Sequence, residues 1–316
     1  MQQTILGRTG ISVSRLVYGT LPMGPLQASL SPEDGGRLIR HALDLGVNTL
    51  DTAELYGSYP HIRSGLEGFH GTVTIVSKTH APDAATARSH VERGLRELGR
   101  ERIDIIHCHA ARVADPFAER AGVIAELLKM KEEGKIGHVG LSTHYISAVR
   151  KAAVHPEIEV VHPLINRTGM GILDGTAGDM AAAISDCAAS GTGIYAMKAL
   201  AGGNLISSAR ESISYVLELP GVHAVALGML SKGEIEANVR FFSTGEADPV
   251  VWQGLESRTR HLRIMERFCK GCGQCVSACV NGSLSVADGV ARVDEETCVL
   301  CGYCGAACPD FIIRVV

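Results

Sequence analysis

Residues 103–142 read IDIIHCHAARVADPFAERAGVIAELLKMKEEGKIGHVGLS, and this stretch holds the repeating unit of most of the chain. Two apolar runs, 103–109 and 138–142, flank residues 117–133, where apolar side chains recur at helical spacing. A strand, a helix and a second strand in that order make a parallel crossover unit. Working outward, further short strand-like runs fall at 16–20, 47–51, 72–78, 160–164, 193–198 and 224–228. Between them lie helical patterns at 32–45, with Ser31 placed to cap it, and at 83–98, 146–155, 179–190 and 231–242. Eight strands alternating with helices predict an α/β fold closed as a (β/α)8 TIM barrel. The alternative, an open doubly wound sheet, would carry a glycine fingerprint after its first strand, and none follows 16–20.

A barrel takes roughly 250 residues, so a chain of 316 leaves room for a second, small domain. The expected division is a barrel over 1–245, a linker helix within 246–264 (its pattern runs over 250–265 and holds the lone Trp252), and a small domain over 265–316. A net charge of -4 gives no basic excess for a nucleic acid or an anionic membrane surface. No apolar run reaches the roughly 18 to 20 residues of a membrane span, and the N-terminal residues lack the layout of a signal peptide. A cytoplasmic, reducing setting is therefore expected, without nucleic acid or membrane as a partner. With 46% hydrophobic residues, a core of this size needs no disulfides, so the ten cysteines call for another explanation.

Eight of the ten fall in the last 48 residues, as Cys269-x2-Cys272-x2-Cys275-x3-Cys279 and Cys298-x2-Cys301-x2-Cys304-x3-Cys308-Pro309. The second run copies the first at an offset of 29. This is the spacing of bacterial two-cluster ferredoxins, in which the fourth cysteine ligates the other [4Fe-4S] cluster. One cluster would take Cys269, Cys272, Cys275 and Cys308, and the other Cys298, Cys301, Cys304 and Cys279. Gly271, Gly273, Gly302 and Gly305 suit the tight path around a cube face. Zinc knuckles or a disulfide scaffold are the alternatives, and neither predicts two copies of a four-cysteine run. The small domain is thus expected to be α+β and ferredoxin-like. Cys108 and Cys187 stand apart and read as buried, inert thiols.

Sites in such barrels sit at the C-terminal ends of the strands. Asp51, Lys78 and His109 end the second, third and fourth strands, and Tyr56 follows the second by five residues. Together they suit proton delivery to a carbonyl, with Asp51 holding Lys78 charged and the ammonium lowering the phenol's pKa. His109 would orient the carbonyl. His107 shares its strand face one step deeper and reads as a satisfied interior histidine.

The segments TILGRTGISVSRLVYGT, VNTLDTAELYG, IVSKTH, IDIIHCH, ALAGGNL and GEIEAN resemble those of aldo-keto reductases over about residues 3–242. The resemblance implies that Tyr56 is the general acid/base, supported by Asp51, Lys78 and His109, acting on a small carbonyl or alcohol. It also implies a nicotinamide cofactor, NADP(H), near Ser142, Thr143, His162, Gly202, Gly203, Leu205 and Asn238. Three positions depart from the family: Met197 replaces an aromatic residue, and Thr143 and His162 replace an asparagine and a glutamine. No arginine marks a 2′-phosphate site in the loop after the eighth strand, which leaves Lys198, Ser231 and Lys232 as candidates.

Three functions stay open on these residues. The clusters feed or drain single electrons during chemistry at the four residues, with a ferredoxin or flavoprotein partner whose flavin splits electron pairs. Alternatively the chain is an NADPH-dependent carbonyl reductase with structural or oxygen-sensing clusters. The third is a non-enzymatic electron carrier or interaction subunit on a borrowed barrel.

Overall fold

Ser31 begins the first barrel helix as its hydroxyl suggests: Oγ accepts from the Asp34 amide, and the helix runs over Pro32–Asp44. The computed structural model describes residues 1–310 and 312–316. Its eight barrel strands are β1 (Leu16–Gly19), β2 (Thr49–Asp51), β3 (Thr74–Thr79), β4 (Ile103–Ala110), β5 (Ile136–Thr143), β6 (Val160–Pro163), β7 (Gly193–Ala196) and β8 (Ala224–Gly228). They pair in parallel in chain order, and β8 closes the ring between β7 and β1.

Register carries the functional consequence. Lys78 lies opposite His107, His109 opposite Ser142, and Ser142 opposite His162. Polar side chains from neighbouring strands are thereby stacked inside one end of the ring. The other end is plugged by the hairpin Gln3–Ile5 and Ser12–Ser14. From its neighbourhood Leu6 and Val13 pack on Val17, Val76, Ile105, Val160, Tyr195 and Ala224 inside the barrel. The outward-facing strand residues, among them Leu50, Ile75, Ile106 and Leu141, pack under the helices as the main core. Each such fully buried side chain contributes about 1.5–3 kcal/mol.

Several elements differ from the sequence reading. The helix expected over 117–133 breaks into Pro116–Glu119 and Ala121–Glu132. The break follows from Asp115, which caps Ala118 and starts a short helix of its own. Residues Tyr59–Leu66 form an additional helix after the site loop. The linker helix is shorter than expected, Pro249–Glu256, started by Asp248. Residues Leu262–Ile264 instead form strand β9, because Leu262 faces in and Arg263 out, a period of two rather than 3.6.

β9 pairs antiparallel with β12 (Ile313–Val315), and β10 (Leu284–Ala287) with β11 (Val290–Val293). Two short helices, Gln274–Ala278 and Tyr303–Ala307, follow the same step of each cysteine run. Leu262, Leu284, Leu300, Ile313 and Val315 join buried cysteines in a separate small core. Among the described residues, no helix is long and apolar enough to cross a membrane.

Candidate active site where the barrel meets the cysteine domain

Lys78 is the centre of the polar layer. Its ammonium donates to both Asp51 carboxylate oxygens, at 2.7 and 2.8 Å, and to the Thr52 carbonyl at 2.8 Å. The Tyr195 phenol donates to Asp51 Oδ2 at 2.8 Å, and His107 Nε2 stands 2.8 Å from the same phenol. A phenol has one proton, and here it points at Asp51, so His107 must donate from Nε2. Its Nδ1 is then bare. That atom has no partner, and it faces Gly140, where a Cβ would lie 2.2 Å away. Burial holds His107 well below its ordinary pKa, which fits the neutral ring this tautomer requires.

His162 belongs to the same layer rather than to an open cleft. It lies flat on Tyr195, centroids 4.0 Å apart, and its Nδ1 donates to the Tyr195 carbonyl at 2.6 Å. Thr143 is fully buried, its hydroxyl accepting from the Tyr145 amide. Sequence reasoning missed Tyr195 entirely. Its signal was present in GIYAMK, where period-two alternation turns Tyr195 inward together with Met197.

Tyr56 ends a short turn, Glu54–Tyr56, and is buried. Lys78 Nζ lies 5.1 Å from its ring centroid. The expected lowering of its pKa by Lys78 does not occur. Burial pushes the phenol well above its ordinary value, and Tyr303 and Asp51 push it further. The physical reason is that Asp51 already neutralises the ammonium, so burial governs the phenol and Tyr56 keeps its proton. His109 is also buried, its ring 3.8 Å from that of His80. Burial and the neighbouring His80 hold His109 well below its ordinary pKa, hence neutral. His109 Nδ1, His80 Nε2 and the Ser142 hydroxyl are buried without a hydrogen-bond partner, while His80 Nδ1 lies 3.5 Å from Glu54 Oε1.

The eight clustered cysteines ring two small, partly enclosed cavities. Cys279, Cys298, Cys301 and Cys304 line one; Cys269, Cys272, Cys275 and Cys308 line the other. Each run sends its fourth cysteine to the other cavity, the exchange that the spacing implied. None is in a disulfide, and backbone amides of Ser283 and Ala291 point at Cys279 and Cys269 sulfurs. The donor set, four thiols lining each cavity, fits [4Fe-4S] clusters. Cys108 and Cys187 are buried inside the barrel domain, and burial pushes the Cys108 thiol up to about 12. Both are inert by that measure.

The cysteine domain sits on the barrel mouth. Val280 and Val299 pack on Ala111, with Met170 alongside. Arg112 donates to the Ser277 carbonyl at 2.7 Å, and Gln27 to the Leu300 carbonyl at 3.3 Å. Gly302, at φ 82°, has the Leu26 carbonyl where a side chain would begin. Tyr303, between Cys301 and Cys304, packs against the cluster of Leu26, Ala53 and Tyr56. Cys301 lies within electrostatic reach of both Tyr56 and Lys198.

The residues expected to hold NADP(H) are scattered among other duties. Gly202 and Gly203 lie against Val299, Leu300 and Arg260 of the cysteine-domain side. Lys198, at φ 60°, pairs with His144 at 3.1 Å. Ser231 caps the helix Lys232–Thr244, Lys232 itself is exposed, and the Asn238 amide donates to the Glu234 carbonyl. Leu205 is partly buried in the turn after β7, its amide bonded to the Leu200 carbonyl.

Comparison with known proteins bears on this arrangement. Residues 15–206 match the model of the aldo/keto reductase family, and residues 258–312 that of a 4Fe-4S dicluster domain. An aldo-keto reductase structure from Pseudomonas aeruginosa is 29% identical, with a TM-score of 0.65 over 76% of this chain and 94% of that one. An aldo-keto reductase of Bacillus halodurans, 20% identical with a TM-score of 0.63 over 81% of this chain and 95% of that one, shares the fold. An aldo-keto reductase of Glycine max is 29% identical over 205 residues, 55% of this chain and 58% of that protein. The L-galactose dehydrogenase of Arabidopsis thaliana is 27% identical over 149 residues, 43% and 47% of the two. The chain thus spans about half the length of the curated relatives it matches. With the first of these models covering more than half of its residues, the chain belongs to the aldo/keto reductase family and carries a 4Fe-4S dicluster domain after the barrel.

Proposed function

We propose that this protein is an iron–sulfur oxidoreductase that interconverts a small carbonyl and its alcohol at Asp51, Tyr56, Lys78 and His109, with electrons passing through two [4Fe-4S] clusters. The observation that carries the reading is the packing of Tyr303, a cysteine-domain residue flanked by Cys301 and Cys304, against the cluster of Leu26, Ala53 and Tyr56 at the barrel mouth. When bound, the clusters supply electrons one at a time. Cys269, Cys272, Cys275 and Cys308 would hold one and Cys279, Cys298, Cys301 and Cys304 the other.

The chain's own residues manage the proton and the geometry. In the direction of reduction the carbonyl takes up two electrons and two protons and leaves as the alcohol. Tyr56, kept protonated by burial, donates one proton to the carbonyl oxygen, and the second, which goes to carbon, comes from water. The Asp51–Lys78 pair holds Lys78 Nζ 5.1 Å from the centroid of the phenol ring and so fixes the floor against which Tyr56 is positioned. Neutral His109 and the unpartnered Ser142 hydroxyl supply hydrogen bonds that orient the carbonyl. The electrons originate in a one-electron carrier, a reduced ferredoxin or a flavoprotein partner.

The test is an anaerobic stopped-flow experiment in which cluster absorbance is followed while pre-reduced protein meets candidate carbonyls. Bleached clusters should recover at the turnover rate. Tyr56→Phe should slow that recovery by roughly 10²- to 10⁴-fold, the usual contribution of a positioned acid, and leave the cluster spectrum unchanged. Clusters that stay silent through many turnovers would overturn the reading.

A further inference from the structure

The loops after the seventh and eighth strands are where barrels of this kind frequently bind phosphate, and in this molecule the chain fills that groove with its own residues. An added Cβ at Gly202 would lie 1.9 Å from the Val299 carbonyl oxygen, so the turn is pressed against peptide where a phosphate would need its amides. A Cβ added at Gly203 would lie 3.1 Å from the Arg260 side chain and 3.5 Å from that of Leu300. Asn204 donates to the Cys298 carbonyl at 2.9 Å. Arg260 then crosses the mouth to Gln27 Oε1 at 2.6 Å, and Gln27 ties back to Leu300.

The far end of the groove is closed in the same way. The N-terminus of the helix Lys232–Thr244 is capped by Ser231, and Glu234 in its first turn accepts from the Leu230 amide and pairs with Arg258. A carboxylate already occupies the anion position that a helix start offers. The interior is equally committed: His162 is held on the Tyr195 carbonyl, and Thr143 on the Tyr145 amide.

We propose that this chain has no nicotinamide dinucleotide site: Arg258, Arg260, Val299 and Leu300 occupy the groove, and the quartet Cys279, Cys298, Cys301 and Cys304, whose run brings Tyr303 onto the Tyr56 cluster, serves as the electron donor instead. Filling of the groove stands on the contacts above. The role given to the quartet rests on the electron route proposed for the clusters. The reductant is then a one-electron carrier of the ferredoxin class, and the two electrons of each carbonyl arrive in two separate deliveries.

The experiment uses the anaerobic, cluster-loaded full chain. NADPH and NADH are titrated by calorimetry, and hydrogen exchange of residues 256–262 and 298–303 is followed with and without them. Enzyme KM values run from about 1 µM to 1 mM, so the expected result is no saturable heat up to about 1 mM and unchanged exchange in both segments. Saturable binding, or faster exchange of these segments on adding either dinucleotide, would overturn the inference by showing that the domain swings aside. Carbonyl reduction driven by dithionite alone is measured in parallel. Dinucleotide binding with intact dithionite-driven turnover would overturn this inference alone, whereas no binding together with silent clusters would overturn only the electron route.

Discussion

Lys78→Met tests the frame on which Tyr56 stands. The ammonium is 1% exposed and makes three hydrogen bonds of 2.7–2.8 Å, two of them to one carboxylate. Methionine keeps most of the side-chain volume and none of those bonds. Asp51, 7% exposed, is left with the Tyr195 phenol as its hydrogen-bond donor and with His162 at 3.9 Å. Removing one partner of a buried ion pair costs about 3–5 kcal/mol. At roughly 2–4 °C per kcal/mol for a domain of this size, the melting temperature should fall by roughly 6–20 °C. The assay is thermal unfolding of the anaerobic, cluster-loaded chain followed by far-UV circular dichroism. Asp51→Asn with Lys78→Met removes both charges and keeps an oxygen for Tyr195, so it should recover most of the loss. A control at the exposed Arg37–Asp34 pair should leave the midpoint in place. A single variant as stable as the parent, or a double variant worse than the single, would refute the view that this pair is a closed electrostatic unit.

Purified protein should hold about eight irons per chain, with visible absorbance lost on reduction; two zinc ions and no colour would overturn the cluster assignment. Tyr303→Phe should keep iron content and the reduced-state electron paramagnetic resonance signal while lowering kcat/KM roughly 2- to 12-fold, the equivalent of one hydrogen bond of about 0.5–1.5 kcal/mol. An unchanged kcat/KM would detach Tyr303 from the site. Glu159 is pushed up by burial, but its bonds from His138 and Lys131 outweigh this and hold it at about 2, below its ordinary 4.5. A depressed carboxylate contributes stability above its unfolded pKa and loses it as pH falls through the folded one. The urea midpoint of Glu159→Gln should therefore trail the parent's above about pH 4.5 and converge on it toward pH 2; a constant gap would show that the contact is not electrostatic.

The barrel was legible because its signal is local and repeated. Each of the eight strands announces itself by a short β-branched run, and a closed ring is the arrangement that buries all of them. The cysteine spacing was legible for a different reason: ligand geometry around a cube fixes sequence intervals, so the exchange of Cys279 and Cys308 between cavities follows from counting residues. The failures lie where local signal competes. The helix expected over 250–265 stops at Glu256, and Leu262–Ile264 pairs instead with Ile313–Val315, a partner fifty residues away. Asp115 splits a helix that periodicity alone would run through. In both places a cap or a sheet partner outweighed propensity.

The site divides along the same line. Asp51, Tyr56, Lys78 and His109 were readable because strand ends in a barrel converge by topology, so order along the chain fixes position around the rim. What order could not convey is burial. Tyr56 was expected to feel Lys78 as a free cation, but the carboxylate that holds Lys78 in place also cancels it, and burial then governs the phenol. Met197, Thr143 and His162 could be seen as departures from a family pattern, while their meaning depended on Tyr195 and on a domain 100 residues later. Once Tyr195 bridges Asp51 and His107, a ring stacked on it and bonded to its carbonyl is held by the barrel interior, and histidine at 162 suits that position. Once Val299 lies on Gly202, the glycine serves a peptide rather than a phosphate, since both require a backbone without a Cβ at that point. The same residue type therefore answers to two different neighbours, and the tertiary contact alone decides between them.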